Sequence, residues 1–110
     1  MDRIRRGDIW TITLPAFPKP RPALIVSIDP INDLRPDVIV VPITTHAAPL
    51  RIALPDDEAT GLRAASYAKC ESVGPLHKSN LKVRIGRLHV AALAEVENGL
   101  RRVLGLDVAE

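Results

Sequence analysis

The sequence predicts an α+β fold, mainly β: a compact barrel of about six short strands closed by one C-terminal helix. Three observations carry that reading. Between Asp8 and Leu88 the apolar residues fall in short alternating or branched runs, the pattern of strands. Proline and turn residues punctuate those runs, which leaves no room for a long helix before them. From Ala91 the apolar period changes to three and four, the mark of an amphipathic helix.

Asp8 to Leu14 alternates, with Trp10, Ile12 and Leu14 on one face and Thr11 and Thr13 on the other, so it reads as a half-buried strand. Pro15 to Pro22 holds four prolines in eight residues. Proline cannot donate to a ladder, so this segment is expected to be a connecting loop, with Pro22 opening the second strand. Asp29 to Pro36 is rich in turn formers and has room for one helical turn; Asp37 to Thr44 is the third strand. Arg51 to Leu54 is a short fourth, and the polar stretch Asp56 to Leu62 is a loop. Ser66 to Val73 and Val83 to Leu88 supply the remaining strands. Leu93, Val96, Leu100, Val103 and Leu104 form the helical stripe, and Gly105 is placed to end it. Gly99 in its middle is expected to cost roughly 1 kcal/mol relative to Ala.

A length of 110 residues predicts one domain spanning 1–110 around one modest core. Trp10, Phe17 and Tyr67 are the only aromatics, so that core must be aliphatic. A formal charge of +2 is a weak argument for a polyanionic partner. Its cations cluster at Arg3, Arg5 and Arg6 and again at Lys78, Lys82, Arg84 and Arg87. The single cysteine, Cys70, excludes an intrachain disulfide, fits a reducing compartment and is expected to be a small core residue. No apolar run has the length of a signal peptide or a membrane span. A cytoplasmic protein with no membrane partner is the expectation. His46, His77 and His89 are widely spaced and no Cys or His pair has zinc-site spacing, so neither a metal nor a cofactor is expected.

The candidate site comes from where polar residues interrupt apolar runs. Arg21 stands before the run Pro22-Ala23-Leu24-Ile25-Val26-Ser27, and Thr44 and Thr45 close Val38-Ile39-Val40-Val41-Pro42-Ile43. If those strands are neighbours, a guanidinium and two hydroxyls converge at a sheet edge. That trio suits a phosphate, because Arg offers a charged planar fork of donors and hydroxyls donate to oxyanions.

The order of these segments resembles the MazF/PemK (Kid) family of toxin endoribonucleases from type II toxin–antitoxin systems. The matching pieces are Arg6-Gly7-Asp8-Ile9-Trp10, Arg21 to Ser27, Val40-Val41-Pro42-Ile43-Thr44, Gly61-Leu62, Arg84-Ile85-Gly86-Arg87-Leu88 and the helix ending Leu104-Gly105-Leu106. The resemblance implies an SH3-like barrel of the CcdB/PemK type and a homodimer. It implies sequence-selective, metal-independent cleavage of single-stranded RNA, and inhibition by a cognate acidic antitoxin whose complex binds DNA. It puts Arg21 and Thr44 in the active site, and Lys69 and Glu71 with them through the match of Lys69-Cys70-Glu71 to an Arg-Cys-Asp segment of the Kid branch. Lys69 and Glu71 depart from that pattern, as does the short proline-rich segment before Arg21. Lys19, Thr45, His46, Lys78 and Arg84 are the expected RNA contacts. For the general base, Glu71 has the family position behind it. His46 is the alternative, being the residue type that ordinarily titrates nearest neutrality. The expected chemistry is attack of a 2′-hydroxyl on the adjacent phosphorus, giving a cyclic phosphate and a 5′-hydroxyl. Two other readings share the barrel: a CcdB-like gyrase inhibitor, whose Trp-Gly-Ile tail this chain lacks, and a catalytically inactive relative that binds RNA or antitoxin. A polyproline-ligand role for Pro15 to Pro22 is the weakest reading.

Overall fold

Asp8–Leu14 (β1) and Asp37–Thr44 (β3) form strands with the bounds expected of them in the structure, a computed structural model that describes residues 3–106. Between them lie Phe17–Ile25 (β2) and the short helix Asp29–Leu34 (α1). Ile52–Leu54 (β4), Ser66–Ala68 (β5), Gly74–His77 (β6), Leu81–Arg87 (β7) and the helix Val90–Leu104 (α2) follow. All pairings are antiparallel, in the order β4-β5-β3-β2-β1-β7, with β6 also on β3. The sheet curls into a half-barrel.

Both faces of the sheet are buried. Ile9, Leu24, Val41 and Ile43 point to one side, where Val96, Leu93 and Leu100 of α2 cover them. Trp10, Ile12, Ala23, Ile25 and Val40 point to the other and pack there with Ile4, Val38, Leu76 and Leu81. Period-two alternation with apolar residues at both parities is what a strand buried on two faces requires. Gly105, at φ 68°, caps α2 as expected. Among the described residues no helix is long and apolar enough to cross a membrane.

Two expectations are corrected. The segment Pro15 to Pro22 is not a loop. The hairpin turns at Pro15 and Ala16, and β2 starts at Phe17, pairing with Leu14. Pro18, Pro20 and Pro22 alternate, so their donorless nitrogens share one edge of the strand, leaving the donors of Phe17, Lys19 and Arg21 for the other. β2 pairs with β3 only over Ala23–Ile25, so before Ala23 the proline edge needs no ladder partner.

The second correction concerns Ser66 to Val73, which is not one strand. β5 ends at Ala68, Cys70–Ser72 forms a 3-10 turn, and Gly74–His77 is a separate strand, making seven in all. β5 and β6 pair successive parts of β3, Ala68 with Ile43 and Gly74 with Val40. The register slips by three residues between these pairs, the length of the turn. The turn carries Cys70 inward to full burial beneath α2. Gly99 makes room for it: a Cβ there would lie 2.9 Å from Cys70 Sγ. The glycine that weakens the helix locally is therefore what lets it pack closely. It also follows that Lys69 and Glu71 do not share a strand face.

Asp29 ties the front of the chain to α1. Its Oδ1 accepts from Arg6 N at 2.8 Å, while the Arg6 guanidinium reaches Glu97 of α2 at 2.7 Å. The Arg6 amide, chiefly, holds the Asp29 carboxyl below its ordinary value of 3.8. A carboxyl that is more acidic when folded stabilises the protein above its unfolded pKa, and that gain is lost as pH falls through the folded value. Thermal unfolding should therefore show Asp29→Ala less stable than the parent at pH 6, with the gap shrinking below about pH 4. A gap independent of pH would assign the loss to packing.

Candidate nucleic-acid interface

The ladder between β2 and β3 runs from Ile25↔Val40 to Ala23↔Pro42 and then stops. Continued, its register would set Arg21 opposite Thr44, on the same face as Ala23 and Pro42. Pro22 has no donor to extend the ladder, and the strand ends part there. The gap is a groove of about 320 Å³ at the mouth of the half-barrel, lined by Ile12, Leu14, Phe17, Lys19, Arg21, Pro22, Pro42, Ile43, Thr44 and Lys69. Four residues singled out from the sequence, Lys19, Arg21, Thr44 and Lys69, thus meet in one depression. Lys69 arrives from the opposite edge of β3, fixed by its backbone N–H to Pro42 O at 2.8 Å.

The groove is cationic. Its lining holds three cations and no carboxylate. Lys19, Arg21 and Lys69 make no side-chain hydrogen bond or ion pair with another described residue. Three arginines elsewhere are paired by contrast: Arg3 with Asp33, Arg6 with Glu97, and Arg87 with the fully buried Asp8. Unpaired cations beside an apolar wall of Ile12, Leu14 and the exposed ring of Phe17 suit a ligand that carries both phosphates and flat bases.

A second set of polar groups borders this groove. Thr44 Oγ1 accepts from His46 N at 3.2 Å and lies 3.4 Å from His46 Nδ1. Arg51 donates to His46 O at 2.8 Å and to Glu71 Oε2 at 2.9 Å. Glu71 therefore does not line the groove but faces Arg51. Its own backbone N–H, first, then Arg51 and Lys69 hold its carboxyl below the ordinary value, against desolvation. Arg51 was not expected from the sequence. Nothing local marks it, since its carboxylate partner lies 20 residues on.

The remaining expected contacts lie apart or outside the lining. Thr45 is exposed just beyond β3. Lys78 N donates to Pro36 O at 3.0 Å, at the start of β3. Thr44 ends that strand, about 23 Å away at ~3.3 Å per residue. Arg84 pairs with Trp10 across β1 and β7 and lines a different, shallow depression with Ala59 and Gly86. Among the described residues no group of three or more His, Cys, Asp or Glu is arranged to hold a metal.

Comparison with known proteins gives the family. Residues 5–104 match the model of the PemK-like, MazF-like toxin of type II toxin–antitoxin systems. The chain belongs to this family. It is 33% identical to endoribonuclease MazF9 of Mycobacterium tuberculosis, over 94% of this chain and 98% of that one. Endoribonuclease MazF2 of Mycobacterium bovis is 32% identical over the same shares. A mycobacterial endoribonuclease solved in complex with its cognate antitoxin superposes with a TM-score of 0.82 at 25% identity, covering 99% of this chain and 100% of that one. MazF of Deinococcus radiodurans, at 19% identity and a TM-score of 0.81, shares the fold. The MazF-type architecture of a curled antiparallel sheet with a C-terminal helix is thus the one expected from the sequence.

Proposed function

We propose that this MazF-family chain is a cytoplasmic toxin endoribonuclease that cuts single-stranded RNA in the groove between β2 and β3. The observation that carries this reading is the meeting of Arg21, Thr44, Lys19 and Lys69 in one cationic, carboxylate-free depression. In the reaction a 2′-hydroxyl oxygen bonds to the neighbouring phosphorus as the 5′-oxygen leaves, giving a cyclic phosphate and a 5′-hydroxyl. No metal is needed for that step. Arg21 stabilises the charge that develops on the phosphoryl oxygens, and the departing 5′-oxygen takes a proton from solvent to leave as the 5′-hydroxyl. Thr44 holds the phosphate through its hydroxyl, and Lys69 and Lys19 hold the flanking backbone as point charges.

The proton acceptor is His46 in preference to Glu71. Glu71 is engaged by Arg51 and lowered in basicity, whereas His46 sits against Thr44 Oγ1 with its ring exposed. His46→Ala should lower cleavage by about 10²-fold or more, the usual range for general acid–base help. Glu71→Gln should cost less than about tenfold. The reverse order would restore Glu71 as the base.

The same groove is the site for a cognate acidic antitoxin segment, which folds on binding and neutralises the unpaired cations. A homodimer is the expected assembly. Incubation of the purified chain with long single-stranded RNA in excess EDTA tests the whole reading. Fragments support it, whereas RNA left intact but bound would identify an inactive RNA-binding relative.

A further inference from the structure

We propose that Arg51 is a positioning residue of the cleavage groove, locking the segment that carries Thr44 and His46 against the 3-10 turn that carries Lys69. This rests on the ribonuclease reading. Arg51 stands just before β4, outside the groove lining, and its side chain is only 16% exposed. One edge of its guanidinium meets Glu71 Oε2, with Nε and the terminal nitrogen each at 2.9 Å. The other terminal nitrogen donates to His46 O at 2.8 Å. A planar fork held at both ends fixes the relation between what it joins.

What it joins are two segments on the β3 side of the groove, each adjoining a residue that lines it, Thr44 and Lys69. Glu71 belongs to the 3-10 turn Cys70–Ser72, whose N-cap is Lys69. That turn is anchored from beneath, because Cys70 is fully buried against Gly99 of α2. His46 belongs to a loop that has no such anchor. Residues 45–50 are all exposed, and the loop returns through a turn closed by Arg51 N to Ala48 O at 3.2 Å with Leu50 at φ 72°. Besides the Thr44 hydroxyl, the Arg51 fork supplies the side-chain hydrogen bond that ties this loop to the barrel among the described residues. Thr44 itself is held by its pairing with Tyr67, but without the fork the His46 ring beside its hydroxyl would sample many orientations, and a misplacement of ~1 Å at reacting groups can cost about 10²-fold in rate.

Arg51 touches no groove surface, so its loss should fall on turnover rather than on RNA binding. Arg51→Ala should lower kcat for single-stranded RNA at least about tenfold with KM changed less than about threefold. Arg51→Lys should recover only part of that loss, because one ammonium cannot span both partners. Hydrogen exchange gives a readout independent of cleavage. The amides of His46 and Arg51 should exchange at least about tenfold faster in Arg51→Ala, with the α2 amides unchanged. Glu71→Gln, which leaves the His46 contact in place, should loosen the same amides less. Unchanged loop exchange would overturn the inference, as would a parent-like kcat or a loss confined to KM. If the parent chain itself fails to cut RNA, the ribonuclease reading falls, and the exchange data still decide whether Arg51 locks the loop.

Discussion

Arg21→Ala is expected to reduce RNA cleavage by about 10²–10³-fold, the usual loss when one preorganised donor to a developing oxyanion is removed. The fold should survive. Arg21 is exposed, its side chain makes no hydrogen bond or ion pair with a described residue, and it lies beyond the last β2–β3 pair. Its thermal unfolding should therefore match that of the parent within about 0.5 kcal/mol. Arg21→Lys keeps the charge but loses the fork, and should recover only a small part of the rate. A variant that unfolds early would make Arg21 a structural residue. One that folds and cuts normally would remove it from the chemistry.

The largest stability effect is expected at Gly86. A Cβ placed there would lie 2.2 Å from the carbonyl carbon and oxygen of Thr60. Across the same contact a Cβ on Gly61, itself at φ 73°, would lie 2.2 Å from Ile85 O. The two glycines let the backbone of β7 lie directly on the loop through Thr60, which Arg87 N fixes by donating to Ala59 O at 2.8 Å. Backbone cannot rotate away as a side chain can. Gly86→Ala should cost about 3 kcal/mol or more and lower Tm by more than about 10 °C. Gly99→Ala meets only side-chain atoms of Cys70 and Ile52, both at 2.9 Å, and gains helix propensity, so its cost should be clearly smaller. Equal losses in the two variants would show that the β7 contact yields more easily than its geometry implies.

The sequence made some of this legible and hid the rest for physical reasons. β1, β3 and α2 were readable because their apolar periods are uninterrupted and their ends are marked by turn residues or Gly105. Arg21 and Thr44 stood out because each breaks an apolar run at its end, and the β2–β3 register carries both to the same gap. The first half of β2 is hidden by its prolines, whose alternation confines the missing donors to one edge and so permits a strand. β6 lies beyond the single strand expected over Ser66 to Val73, because the 3-10 turn Cys70–Ser72 resets the register and lets Pro75 pair with Ile39. Lys78 and Arg84 were grouped by closeness in sequence, but the 3-10 turn Lys78–Asn80 and strand β7 put them on different parts of the barrel. Arg51 had no local signal at all, since its role depends on Glu71 and on a loop geometry that only the folded chain creates.

The most direct test is to read the fragment ends by mass spectrometry after the purified chain has acted on long single-stranded RNA in excess EDTA. Cyclic-phosphate and 5′-hydroxyl ends are the predicted result, because only attack by the RNA's own 2′-hydroxyl produces that pair. Intact RNA, or fragments ending in 5′-phosphate, would contradict it.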